Sequence, residues 1–405
     1  MSTTEAPQRS SAPLSDIVVL DFGHVLAGPW AAMTLGDFGA KVIKVEKPGR
    51  GDTTRGTPPF FEGASSYFAS ANRNKLGVAI DSKSEDGKRL LVELASKSDV
   101  LIHNFRPGVM ERLGFGYEEL SKLNPRLVYC AISGFGHESA LREKPAFDPV
   151  IQAMSGLMAI NGQPGAAPLR AGLPIADLAG GVFAIIAILM ALHRRARTGS
   201  GGFLDVSMFD ALFNMLVDHV PYAHLTGKLP ARSGASHAQA VPLGTFETSD
   251  GHIVISAFTQ GFWVNLCKAL SRPEWIEDER FAKISKRQAN NALLTEEINK
   301  AMRQRTTAEW VAEFDRLDVP HGPVLNLLEL LTHPLVQERR LLEPLLGSGD
   351  SKVLGAVRPI KFSDYDAGVR MQAPALGADT AEVLKSMLGL GDDEISRLRA
   401  DGSIG

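Results

Sequence analysis

From Asp16 onward, short β-branched runs alternate with segments of helical character: DIVVLDF, GPWAAMTLGDFG, AKVIKVE, SEDGKRLLVELASKS, DVLIHNF and RLVYCAISGFG. That alternation predicts an α/β fold with a parallel sheet and helices on both of its faces. Ser82 with Glu85 and Thr306 with Glu309 have the capping-box spacing that marks helix starts. The most apolar stretch, Leu178 to Leu192, falls short of the roughly 20 residues that cross a bilayer and predicts a buried core helix with no membrane association. His193, Arg194, Arg195 and Arg197 close it, where the negative end of a helix dipole favours cations. GGFLDVSMFDALFNMLVDH then reads as strand and helix, and LTGKLPARSGASHAQAVP as a linker or binding loop. GTFETSDGHIVISA predicts a hairpin turning at Asp250-Gly251, and helices around FWVNLCKALS and LLTEEINKAMRQ complete a smaller α+β domain. From about Leu330 the pattern returns to strands and two short helices.

Composition narrows the function. With 405 residues, 44% hydrophobic and 22% charged, the chain is long enough for two cored domains. A formal charge of -3 lacks the basic excess of a nucleic-acid binder, so a polyanionic ligand must meet a local cluster. Cys130 and Cys267 sit far apart in apolar segments and predict buried thiols in a reducing, cytoplasmic setting. MSTTEAPQRSSAPL has no apolar run of a secretory signal, and residues 1–14 are expected to be a disordered tail.

Candidate chemistry gathers near strand ends, where α/β folds bind ligands. Lys47, Arg50, Arg55, Arg73, Lys75, Lys83, Arg106 and Arg112 would suit a phosphate-bearing ligand such as a nucleotide or coenzyme A. The first strand–helix junction, LDFGHVLAGP, lacks the GxGxxG spacing, yet Glu46 ends the second strand where a dinucleotide enzyme places its ribose-binding acid. A nicotinamide oxidoreductase therefore stays open. Ten histidines show no HxxxH or HExxH pair, so no metal site is expected, and no GxSxG elbow marks a serine hydrolase. His24 lies in the first loop. Asp177 stands at the threshold of the apolar helix, where by spacing it is an N-cap. The same place would hold an ionised carboxylate beside an apolar wall, with Gly180 and Gly181 leaving room for a ligand. A poorly hydrated carboxylate is a competent nucleophile toward an activated acyl group.

From about Leu14 to Leu390 the chain resembles the class III coenzyme A transferases, the family of formyl-CoA transferase, carnitine CoA-transferase and the related α-methylacyl-CoA racemase. The resemblance is carried by VLDFGHVLAGPWAAMTLGDFGAKVIKVEKPGRGD, NRNKLGVAID, DVLIHNFRPGVMERLGFGYEEL, NPRLVYCAISGFG, PIADLAGG, HRRARTGSGGFLDVSMFDA, VPHGPV and LGADTAEVL in order. It implies an interlocked homodimer whose Rossmann-like, CoA-binding large domain comes from both ends of the chain, residues 15–205 and 330–405, with a linker at 206–235 and a small α+β domain at 236–329. No permanent cofactor is implied. Coenzyme A thioester is substrate, lying against His24, Val25, Ala27, Lys47, Ile80, Lys83, Asn104, Phe105, Arg106 and Arg112.

Asp177 aligns with the family's nucleophile, which forms an acyl anhydride and then an aspartyl-CoA thioester before the acceptor carboxylate attacks. Leu26, Phe147, Asp148, Gly234 and His237 are the implied substrate pocket, and Ser233 to His237 resembles the family's glycine-rich lid with fewer glycines. The racemase branch has a histidine just before an aspartate; here Ala146 or Phe147 precedes Asp148, and the missing base argues against racemisation. Leu26 and Phe147 replace a glutamine and a tyrosine of formyl-CoA transferase, which argues against formate and oxalate as the acid pair. Succinate is a candidate dicarboxylate, and Arg170 and Arg232 are candidates for its far carboxylate. A non-catalytic CoA-binding protein is the remaining alternative.

Overall fold

A computed structural model describes residues 12–237 and 240–405. Six strands form one parallel sheet: β1 (Val18–Asp21), β2 (Lys41–Glu46), β3 (Lys75–Ala79), β4 (Val100–His103), β5 (Val128–Ser133) and β6 (Gly202–Ser207), in the spatial order β3-β2-β1-β4-β5-β6. Their near-continuous apolar runs are what a parallel sheet covered on both faces requires. The order reverses between β1 and β4, so the loops leaving β1 and β4 flank the switch-point crevice.

The chain divides into two compact units. The first holds the residues up to Gly156, Ala171–Leu216 and Pro334–Gly405. The end of the chain returns to the edge strand β3: Asp379 and Thr380 accept from the Gly77 and Ala79 N–H groups at 2.7 and 3.0 Å, and Ile404 bridges Ile80. That contact covers a backbone edge otherwise open to pairing.

Helix α1 (Ala27–Asp37) follows β1, α2 (Ser66–Asn72) precedes β3, α3 (Glu85–Ser96) follows it, and α4 (Val109–Leu113) follows β4. Helix α5 (Asp148–Met154), α6 (Ile175–Thr198) and α7 (Met208–Asn214) complete the group that positions the site. The cap of α3 is Ser84, whose hydroxyl accepts from the Gly87 N–H at 3.0 Å, rather than Ser82.

Helix α6 is longer than the apolar run suggested. It spans 24 residues, enough by length and composition to cross a membrane, but Ala176, Gly180, Ala184, Ile188, Ala191 and Arg195 form one buried face in the first unit. It is not buried all round: Ile186, Leu189 and Met190 are exposed, Met190 at 67%. Gly180 and Gly181 do not open space for a ligand. A Cβ at Gly181 would lie 2.9 Å from Trp30 Cε3, and one at Gly180 would lie 2.9 Å from Met208 Cγ. They let α6 approach α1 and α7 closely. Gly181→Val is expected to destabilise the fold by about 1–3 kcal/mol by overpacking against the Trp30 ring, read as a lowered denaturation midpoint at unchanged m-value.

The second unit holds Leu157–Arg170 and Val217–His333. Its sheet, strands β7 (Leu243–Glu247), β8 (His252–Ser256) and β9 (His321–Pro323), is antiparallel, and the β7–β8 hairpin turns at Asp250-Gly251 as expected. Thr306 and Glu309 form the predicted capping box; Asn326 and Glu329 form another that the sequence reading missed.

The stretch expected as a 206–235 linker is structured. It carries the end of β6, α7 and a helix at His219–Thr226, and the first unit runs on to Leu216 because α7 packs on α6. Of the expected 1–14 tail, residues 1–11 lie outside the described residues. Ala12 to Leu14 belong to a turn in which the Leu14 N–H donates to the Phe38 carbonyl at 3.0 Å.

Candidate active site

The sheet order sets side by side the loops leaving β3, β2, β1 and β4, and most of the expected CoA contacts lie on those loops. At the switch point two loops are laced together. The His24 N–H donates to Asn104 Oδ1, and Asn104 Nδ2 donates to the His24 carbonyl, both at 2.7 Å. The His24 and Phe105 rings sit 5.3 Å apart. Val25 has φ 65°, a left-handed conformation that is costly for a β-branched residue. It is held there by Asp52, whose Oδ2 accepts from the Val25 N–H at 3.2 Å.

Asp52 is the hub of this loop. It also accepts from the Thr54 N–H and hydroxyl at 2.9 and 2.8 Å and from Lys44 Nζ at 3.2 Å, and Lys44 donates to the Gly23 carbonyl as well. Burial pushes the Asp52 carboxyl up, but Lys44 and the Thr54 donors outweigh it and hold it below the usual carboxylate range. Burial, reinforced by Lys44, outweighs the nearby carboxylates and keeps the His24 imidazole below its ordinary value, which favours the neutral ring.

The basic cluster splits in two. Arg55, Arg73 and Lys75 are taken up by Glu46, Asp37 and Asp21 at 2.5, 2.7 and 2.8 Å. Lys47, Arg50, Lys83, Arg106 and Arg112 are exposed and pair with no carboxylate among the described residues. Glu46 is buried, bound to Arg55 and to the Asp52 N–H at 2.8 Å, so it is not free to take a ribose. That removes the feature that had kept the nicotinamide alternative open. Ile80 is a core residue whose N–H donates to the Glu46 carbonyl, so its side chain is not on the rim; Ala27 and Leu26 are likewise buried, at the start of α1.

Asp177 is the third residue of α6 and is not its N-cap. Pro174 holds the cap position, and its hydrocarbon ring has no acceptor to offer the first turn. The cap comes from α5: Asp148 Oδ1 accepts from the Ala176 N–H at 2.7 Å and sits 3.4 Å from the Asp177 nitrogen. The Asp177 carboxyl is half-buried and accepts no hydrogen bond among the described residues. Burial, then the negative charge of Asp148, pushes it up to about 7. It is therefore not held ionised by the helix terminus, the expectation from its sequence position; burial and the Asp148 charge favour its protonated form.

Tyr67 on α2 shares this field. Its phenol is raised by burial and by Asp177, Asp52 and Asp148. The sequence carries no spacing rule that marks it. Phe147 stands at the start of α5 with 72% of its surface exposed.

Gly234 and His237 belong to the second unit. Gly234 is left-handed, its N–H donating to the Gly162 carbonyl at 3.1 Å, and the His237 N–H donates to Leu243 at 2.9 Å, so the segment expected as a lid runs along β7. Arg232 donates to the Ala159 and Ala166 carbonyls and orders its own unit. Arg170 is exposed. Among the described residues no three His, Cys, Asp or Glu side chains converge to hold a metal ion. Cys130 and Cys267 are buried thiols, both pushed up to about 12 by burial.

A half-buried carboxyl without hydrogen-bond donors, near neutrality, combines the basicity and poor hydration of a covalent nucleophile. The cationic rim on the same unit suits a polyphosphate. The sequence model of CoA-transferase family III matches residues 14–380. The acetyl-CoA:oxalate CoA-transferase of Acetobacter aceti is 39% identical over 385 residues, covering 95% of this chain and 98% of that one. The succinyl-CoA:glutarate CoA-transferase of Mus musculus is 35% identical over 397 residues, 98% of this chain and 91% of that one. The crystal structure of a CAIB/BAIF family protein from Brucella suis superimposes with a TM-score of 0.85 at 35% identity, covering 93% of this chain and all of that one.

Proposed function

This chain belongs to CoA-transferase family III, and we propose on that premise that it moves coenzyme A between an acyl-CoA and a free carboxylate through Asp177, with a small dicarboxylate as one partner. The ionised Asp177 attacks the thioester carbonyl; the C–S bond breaks, coenzyme A leaves as thiolate, and an acyl anhydride forms on the aspartate. The thiolate attacks the Asp177 carbonyl, releasing the first acid and leaving an aspartyl-CoA thioester. The acceptor carboxylate attacks that thioester, and the thiolate then takes the new acyl group, restoring the carboxylate. One activated acyl bond, anhydride or thioester, is present at every stage, so no ATP is needed.

The observation that carries this reading is the Asp177 carboxyl: half-buried, without donors, raised to about 7. Lys47, Lys83, Arg106 and Arg112 would take the CoA phosphates, and the loop His24–Ala27 with Asn104 and Phe105 the rest of its nucleotide end. Two relatives named for oxalate and glutarate support a dicarboxylate. Oxalate therefore stays among the acceptors, against the expectation drawn from Leu26 and Phe147. The absence of a histidine before Asp148 speaks against the racemase alternative, and the occupied Glu46 against the nicotinamide one. The reading extends to a cytoplasmic protein and to an interlocked homodimer, and the apolar face that α6 leaves exposed at Ile186, Leu189 and Met190 supports self-association.

The test is to mix the enzyme with acyl-CoA, trap with hydroxylamine or borohydride, and map the peptide by mass spectrometry. Modification at Asp177 is expected. Turnover with no adduct at that position would remove the aspartyl route.

A further inference from the structure

The groups that order the approach to Asp177 are not on its own helix. Asp148 and Gln152 lie one turn apart on α5, and are 5% and 0% exposed. Gln152 Nε2 donates to Asp148 Oδ2 at 2.6 Å, while its Oε1 accepts from the Ala171 N–H at 2.8 Å. Asp148 Oδ1 meanwhile caps the first turn of α6. One buried acid–amide pair thus fixes both the chain entering the nucleophile's helix and that helix's first turn. An acid is favourable at a helix N-terminus. A buried acid beside a second buried acid is not, unless the second one loses its charge.

That conflict has a use in acyl transfer. When Asp177 attacks the thioester, its negative charge leaves with the C–S electron pair onto the departing sulfur, and the acylated aspartate is neutral. We propose that Asp148 is a positioning residue for the nucleophile: it caps the first turn of α6 from α5, and its fixed charge favours the neutral acylated states of Asp177 over the free carboxylate. The inference rests on Asp177 being the acylated residue. Asn at position 148 would keep the cap acceptor and lose both the charge and the oxygen that takes the Gln152 amide, a second loss that Gln152→Leu reproduces with the charge intact.

The other ionisable groups around α6 do not share this role. Asp37 of α1 is paired with Arg73, Asp205 of β6 accepts from the His137 N–H, and Asp210 of α7 lies in its own helix's first turn. On β5, Tyr129 and Cys130 are buried in the core. None of these adds to the field at Asp177, and Tyr67 of α2 is an uncharged phenol there.

The experiment follows the carboxyl carbon of Asp177 by NMR in full-length protein labelled with 13C-aspartate, assigned by its loss in Asp177→Asn. In Asp148→Asn the midpoint of Asp177 is expected to fall by about one pH unit or more. In Gln152→Leu, which loosens the clamp but keeps the charge, the midpoint stays and kcat falls. The fraction of enzyme trapped as acyl adduct during turnover falls several-fold in Asp148→Asn. An unmoved midpoint in Asp148→Asn, or an equal fall in Gln152→Leu, overturns the proposal. If Asp148→Asn does not fold, Asp148→Ser keeps a capping oxygen without charge and is judged by the same criteria. Failure of the nucleophile assignment itself shows differently, as no adduct on Asp177 in the parent whatever its midpoint.

Discussion

Asp177→Asn is expected to lose CoA transfer by about a thousandfold or more and, at the same time, to become more stable than the parent at alkaline pH. In the proposed scheme the loss follows from removing the carboxylate that carries the acyl group, since an amide cannot form the anhydride. The gain follows from the direction of the pKa shift. The Asp177 carboxyl titrates near 7 in the fold against an ordinary value of 3.8. Below the ordinary value the residue is protonated in both folded and unfolded chains, and the parent is undiminished. As pH rises from there through 7, the unfolded chain ionises first, and the parent loses stability until the folded carboxyl has ionised too. Asparagine, of the same shape and neutral, escapes that loss. A difference of about 1–3 kcal/mol at pH 8, discounted for the partial exposure of the group, should shrink to nothing near pH 4. Urea denaturation of both proteins at the two pH values measures it. A variant less stable than the parent at pH 8 would mean that the carboxylate is part of the scaffold and not a functional liability.

Much of this arrangement was legible because it is local. The strand–helix alternation, the Asp250-Gly251 hairpin and the loops after strands are written in spacings of a few residues. So was Asp177: an acid at the mouth of a strongly apolar helix is conspicuous on composition alone. What the sequence reading missed was tertiary. The cap of α6 is Asp148, 28 residues before the amide it serves at Ala176. Arg73 meets Asp37 across 36 residues and Lys75 meets Asp21 across 54. Such pairs exist only once the sheet has brought β1 and β3 to either side of β2, so no spacing rule separates a structural arginine from a phosphate-binding one. Gly180 and Gly181 misled for the same reason, since the missing side chains serve Met208 and Trp30, which the one-dimensional pattern does not bring near.

The second large effect is expected at Lys44, a residue that touches no substrate in the proposed scheme. Lys44→Met should destabilise the fold by about 3–5 kcal/mol and weaken CoA binding out of proportion to any change at Asp177. Lys44 and Asp52 are both fully buried and 3.2 Å apart. Removing the ammonium leaves the Asp52 carboxylate in the interior with the Thr54 and Val25 donors and the His24 ring 3.8 Å away. The sign of the pH dependence distinguishes this from simple loss of packing. In the parent the Asp52 carboxyl lies below its ordinary value, so its contribution is present above that value and is lost as pH falls through the depressed one. In the variant the same carboxyl is no longer held down, and its burial opposes folding wherever it is ionised. The deficit should therefore be largest near pH 8 and narrow as pH falls toward 5, whereas a packing defect would be independent of pH. The loss of binding has its own cause. Asp52 holds the Val25 N–H and with it the left-handed backbone, and Lys44 also ties down the Gly23 carbonyl two residues away. With Lys44 gone the Gly23 carbonyl is released and the Asp52 carboxylate that holds Val25 at φ 65° loses its anchor, so the surface proposed for coenzyme A is expected to relax. Calorimetric titration with coenzyme A, run beside denaturation at the two pH values, would find unchanged affinity only if the strained loop plays no part in binding.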